Sequence, residues 1–136
     1  LDELGLRSAI EYGVEQWRRR HPAIHCSFSA DGELDGLSEQ VNITLYRLAQ
    51  ECLTNVAKHA QATQVAIGLA RAEHGGEVRF DFEDNGHGFE PGVRRQGLGL
   101  IGLRERVEAL GGHFDLHSAP GRGVRVCAVI PLGSPP

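Results

Sequence analysis

No stretch of this sequence approaches the roughly 20 consecutive apolar residues that cross a bilayer, and no basic-then-apolar leader opens it. On this reading the domain is expected in the cytoplasm, with any membrane contact made only through other regions of a parent protein. Positive charge is also scarce. Acidic residues outnumber basic ones 18 to 14, which leaves no basic field for direct contact with nucleic acid. Cysteine is limited to Cys26, Cys52 and Cys127, odd in number, far apart and without a CxxC pair. That pattern suggests neither a disulfide framework nor a thiolate zinc site, and the three read as small buried thiols. No internal repeat or low-complexity tract is visible.

What is present fits one globular domain over 1–136. A chain of this length buries roughly two thirds of the surface that its unfolded form exposes. Glycine is abundant, with 18 residues, mostly after position 67. Leu6, Ile10, Val14 and Trp17 fall at helical spacing and predict a helix from Leu6 to about Arg20, stopped by Pro22. Ile24, Cys26 and Phe28 alternate as a short strand, and Asp31 to Gly36 is turn-rich. Ser38, followed by Glu39 and Gln40, opens a long helix to about His59. Val65, Ile67 and Leu69 alternate, as do Val78, Phe80 and Phe82, with Gly75-Gly76 as the hairpin turn between them. The stretch from Asp84 to about Gly99 reads as irregular. A helix is expected from about Leu100 to Leu110, ended by Gly111-Gly112. Strands over His113–His117 and Gly123–Ile130 follow, joined by Ala119-Pro120-Gly121-Arg122. Pro131 onward reads as tail, with 132–136 flexible. These elements predict a two-layer α/β (α+β) sandwich, a mixed and mostly antiparallel sheet with helices on one face.

Two features carry chemistry. At about 100° per residue, Arg47, Glu51, Asn55 and Lys58 form one polar stripe on the long helix, beside an apolar face of Leu45, Leu48, Cys52 and Val56. Such a stripe is either a solvated face with weak i,i+4 pairs or a site where an amide or carboxylate oxygen meets a hard cation such as Mg²⁺. The second feature is glycine-rich. Asp84-Asn85-Gly86-His87-Gly88-Phe89 puts a carboxylate at a strand end, beside glycines that let a ligand approach the backbone; the same composition also makes a plain turn. Gly97-Leu98-Gly99-Leu100-Ile101-Gly102 then enters a helix, where free N–H groups favour phosphate. It is not a phosphate-binding P-loop, because no Gly-Lys-Ser/Thr follows, nor a dinucleotide fingerprint, because no strand leads directly into it. Residues 90–96 between these features read as a cover over a ligand or an ordinary surface loop.

Taken in order, these segments resemble the catalytic ATP-binding domain of bacterial sensor histidine kinases, within the wider group that includes gyrase-type and heat-shock chaperone ATPases. Leu45 to Ala60 resembles that family's N box, Asp84 to Phe89 its first glycine box, Gly97 to Arg106 the second, and Ser118 to Pro131 its closing hairpin. The Arg-x-x-Gln-Glu form of the N box and the short lid resemble nitrate-sensor-like kinases, whose partners are often LuxR/NarL-type response regulators. The resemblance implies a Bergerat-type ATP-binding fold with ATP and Mg²⁺ as ligands. It assigns Mg²⁺ to Asn55, the adenine amino group to Asp84, and close approach of the base to Gly86 and Gly88. Lys58 and His59 fall at the phosphate end, and the amides of Gly97, Leu98, Gly99 and Leu100 contact phosphate. Glu51 matches a position that orients water as a general base in related ATPases.

Two departures stand out. Val124 replaces the family's usual threonine after the last glycine, which removes a hydroxyl near adenine. None of the seven histidines sits in the family's phosphoacceptor context, so the acceptor is expected on a separate dimerisation domain of the same kinase. The expected activity is transfer of the ATP γ-phosphoryl group to that histidine, which this domain does not accomplish alone. The rival readings are an anti-sigma-type serine kinase and a nucleotide-sensing module without catalysis.

Overall fold

A computed structural model describes residues 5–71, 76–88 and 94–132, with the side chains of 59–60 and 94–98 outside the description. Helix α1 spans Gly5–Arg20 and buries Leu6, Ile10, Val14 and Trp17, the four residues that carry its periodicity. Arg18, Arg19 and Arg20 close its last turn, where cations oppose the helix dipole. Strand β1, His25–Asp31, follows. Helix α2, Glu39–Asn55, begins at Ser38, whose Oγ accepts from the Val41 N–H at 3.2 Å. Ser38→Ala should lower the unfolding free energy by about 1 kcal/mol. A urea midpoint equal to that of the unaltered chain would show that this cap contributes nothing.

The helix does not run unchanged to His59. After Asn55 the hydrogen-bond ladder widens from i→i+4 to i→i+5, giving a π-helical turn over Val56–Ala60. Gln61 ends it in the left-handed region, at φ 47°. Extrapolating 100° per residue therefore holds for Arg47, Glu51 and Asn55 but not for Lys58, which lies beyond the change of pitch.

Strands β2 (Gln64–Arg71), β3 (Glu77–Asp84), β4 (His113–Ser118) and β5 (Val124–Pro131) complete one five-stranded sheet in the order β1-β2-β3-β5-β4. Only the β1–β2 pairing is parallel; the others are antiparallel. Alternation along the strands sends Val65, Ile67 and Leu69, then Val78, Phe80 and Phe82, to one face, where the three helices cover them. The two-layer mixed sheet is thus as expected. Turn residues Gly75 and 133–136 of the tail lie outside the described residues. Leu132 is tied down, its N–H donating to the Gly76 carbonyl at 2.7 Å.

Helix α3 corrects the sequence reading. It spans Arg94–Ala109 and starts six residues before Leu100. Arg94, Arg95 and Gln96 lack an apolar pattern but are good helix formers, and one or two glycines cost a helix too little to stop it. In α2 the N–H of the fourth helical residue, Asn42, already bonds to the Ser38 carbonyl; counted the same way, the free N–H groups within α3 are those of residues 94–96, so the amides of Gly97, Leu98, Gly99 and Leu100 lie inside the ladder. The glycine pair Gly111-Gly112 ends the helix as expected, Gly111 at φ 83° and both amides bonded back to its last turn. No helix among the described residues is long and apolar enough to cross a membrane.

Candidate functional site

The register of the sheet puts Asp84 at the end of β3, between Val65 of β2 and Val124 of β5. It is only 5% exposed, and among the described residues no cation pairs with it. Burial pushes its carboxyl above the ordinary carboxylate value, Glu83 adds to that, and bonds from the Gly86 and Val124 backbone N–H groups oppose it. The Gly86 N–H lies 2.8 Å from Oδ1. A nearly buried carboxylate without a counter-ion is poised to accept from a neutral donor brought in by a ligand. Val124 beside it is buried and apolar, so that wall of the site supplies no hydroxyl.

The loop after Asp84 is held on both sides. Asn85 Oδ1 accepts from the Thr63 and Gln64 N–H groups, both at 2.9 Å, and its Nδ2 donates to Thr63 Oγ1 at 2.9 Å. Next to it, His87 Nε2 lies 2.7 Å from Gln61 Oε1, the ring N–H donating, which joins the loop to the end of the π-helical turn. On the other side the His87 carbonyl accepts from the Gly121 N–H. Gly88, at φ 70°, lies against the 118–123 turn: a Cβ there would collide with the Ala119 carbonyl and stand 2.8 Å from that of Gly123. The missing side chain at Gly88 thus admits the closing hairpin, a packing requirement the sequence does not reveal. Gly123, at φ 73°, in turn approaches the Asp84 carbonyl.

The opposite wall is α2. Asn55 is half-buried at its last residue, and its Nδ2 is fully buried with no hydrogen-bond partner among the described residues. An unpaired amide of this kind carries a desolvation cost, tolerated most readily where a ligand completes the site. Glu51, one turn earlier, is half-buried against Gly99 of α3. Cys52, on the same helix, is buried, and its thiol is pushed well up by desolvation, then by the charges of Glu51 and Asp84. Lys58 is exposed in the π-helical turn. The side chains of His59 and Leu98 lie outside the described residues, as do residues 89–93 between the loop and α3.

Among the described residues no group of three or more His, Cys, Asp or Glu side chains could hold a metal ion. A divalent ion here would need ligand oxygens from elsewhere. That suits Mg²⁺, which keeps waters and shares phosphate oxygens while taking few protein ligands, and the Asn55 amide fits such a share.

Residues 40–134 match the family of histidine kinase-, DNA gyrase B- and HSP90-like ATPases. The chain is 33% identical over 133 residues to the signal transduction histidine-protein kinase/phosphatase DegS of Brevibacillus brevis, covering 97% of this chain and 34% of that protein. It is 36% identical over 126 residues to UhpB of Salmonella typhimurium, another signal transduction histidine-protein kinase/phosphatase, covering 93% and 25%. This chain therefore corresponds to about a third or less of either relative. In fold it is similar to the histidine kinase domain of a blue-light activated histidine kinase from Erythrobacter litoralis, at TM-score 0.73 and 24% identity over 94% of this chain and 61% of that one. The mycobacterial sensor histidine kinase MprB superposes at TM-score 0.66 with 21% identity, over 93% and 94%. This chain belongs to the histidine kinase-, DNA gyrase B- and HSP90-like ATPase family, and its named relatives are histidine kinases of signal transduction.

Proposed function

We propose that this domain binds Mg-ATP between Asp84 and Asn55 and presents the γ-phosphoryl group to a histidine on a separate dimerisation domain of the same kinase. The observation that carries the reading is a pair of buried groups: the Asp84 carboxylate, held by backbone N–H groups but without a cation, and the Asn55 Nδ2, without a partner. Asp84 accepts the adenine amino group, while the Gly86 N–H holds the carboxylate in place. Gly86 and Gly88 keep the loop close to the base, and buried Val124 makes that side of the base pocket dry. Asn55 is the residue that would hold Mg²⁺; when bound, the ion supplies charge neutralisation on the phosphate oxygens. Lys58 and His59 approach the phosphate end, and the free amides at the start of α3 face phosphate. The amides of Gly97, Leu98, Gly99 and Leu100 join them only when the first turns of the helix open. Positioning and charge compensation are what phosphoryl transfer mainly requires, and Glu51 is the side chain placed to orient a proton or water there.

The histidine phosphorylated in this way passes its phosphoryl group to an aspartate on a response regulator of LuxR/NarL type. The setting is cytoplasmic, with no direct contact to nucleic acid. Incubating the domain with labelled ATP and the histidine-bearing hairpin of its parent should place acid-labile, base-stable label on the hairpin. Acid-stable label would point to an anti-sigma-type serine kinase, and no label to a nucleotide-sensing module.

A further inference from the structure

Two glycines of α3 stand three residues apart and meet opposite surroundings. Neither has a positive φ, so backbone conformation demands glycine at neither. A Cβ at Gly102 would find nothing within 4 Å. A Cβ at Gly99 would overlap Oε1 and Cδ of Glu51 and stand 2.8 Å from Oε2. Glu51 is half-buried on α2, the helix against which α3 packs, so its carboxylate fills the gap that the glycine leaves.

We infer that Gly99 is a positioning residue for Glu51: its missing side chain forms the seat in which the α2 carboxylate rests against α3. The placement of the helix and the direction of the carboxylate are thereby linked. On the nucleotide reading proposed above, Glu51 stands near the phosphate end in a direction that α3 sets, so movement of α3 redirects the group placed to orient a proton or water.

The two glycines give the test its internal control. At an ordinary helical position alanine stabilises relative to glycine, so Gly102→Ala should slow amide exchange in α3 about fivefold. If Gly99 were an ordinary helical glycine, Gly99→Ala would do the same. With Glu51 seated against it, Gly99→Ala must push the end of that side chain aside, so it should slow exchange in α3 by less than Gly102→Ala does. In a Glu51→Ala background the shortfall should vanish, and Gly99→Ala should then slow exchange as much as Gly102→Ala does, a coupling that a double-mutant cycle isolates. Hydrogen exchange on the 136-residue chain and these variants measures all of this. Equal slowing by Gly99→Ala and Gly102→Ala with Glu51 present, or a shortfall at Gly99 that persists once Glu51 is removed, overturns the seat. Titration of the unaltered chain with Mg-ATP separates the two readings: absence of binding overturns the nucleotide site, and with it the role of the seat at the phosphate end, whatever the exchange pattern.

Discussion

Asp84→Asn should weaken nucleotide binding about ten- to a hundredfold without lowering the melting temperature of the free domain. The first part follows from losing a charge-assisted hydrogen bond, worth about 1.5–3 kcal/mol. The second follows from the environment. Burial pushes the Asp84 carboxyl above its ordinary value near 3.8, so ionising it in the folded chain costs more than in the unfolded one. Asparagine removes that cost and keeps an oxygen for the Gly86 N–H, 2.8 Å away. Acid should separate the same two effects. Because the folded value is raised, the stabilising contribution of protonated Asp84 is fully present below the unfolded value and is lost as pH rises through the folded one. Falling pH therefore strengthens the fold through this residue while it removes the charge that holds the ligand. Calorimetric titration across that window, beside melting curves of the free protein, checks both signs. Equal affinity of the asparagine variant would remove Asp84 from the base-binding role.

Elements whose residues report their own surroundings were legible in the sequence. Strands β2 and β3 show period-two alternation because one sheet face is buried, and α1 shows helical spacing because it buries a single stripe. Legibility fails where the deciding partner lies far along the chain. Gly88 reads equally well as room for a ligand or as turn composition; only the approach of residues 118–123 shows what fills the space. Asn85 looks like an ordinary turn residue until the start of β2 accepts and donates all of its bonds. The start of α3 was missed because Arg94, Arg95 and Gln96 carry no apolar period, and glycine weakens a helix without forbidding it. The π-helical turn leaves no mark at all: Val56-Ala57-Lys58-His59-Ala60 suits an ordinary helix equally well. Departures of this kind recur at functional sites, and this one begins directly after Asn55.

That placement bears on Asn55→Ala, which should lower affinity for Mg-ATP on the order of ten- to a hundredfold while changing affinity for magnesium-free ATP by no more than about twofold. Aspartate or glutamate at the helix end would bind a cation more strongly alone. An amide instead contributes oxygen without charge and leaves most of the coordination to phosphate and water, in keeping with the lack of a clustered ligand set among the described residues. In the free domain the Asn55 Nδ2 is buried without a partner, and removing an unsatisfied buried donor relieves a desolvation cost. Alanine is also a better helix former than asparagine. The variant should therefore melt no lower than the unaltered chain, so weakened binding would reflect the site and not the fold. Titrating ATP into both proteins, with magnesium and then with a chelator, gives the four affinities needed. Equal losses in the two conditions would show that Asn55 touches the nucleotide itself or only shapes the wall, and the metal would have to be held elsewhere.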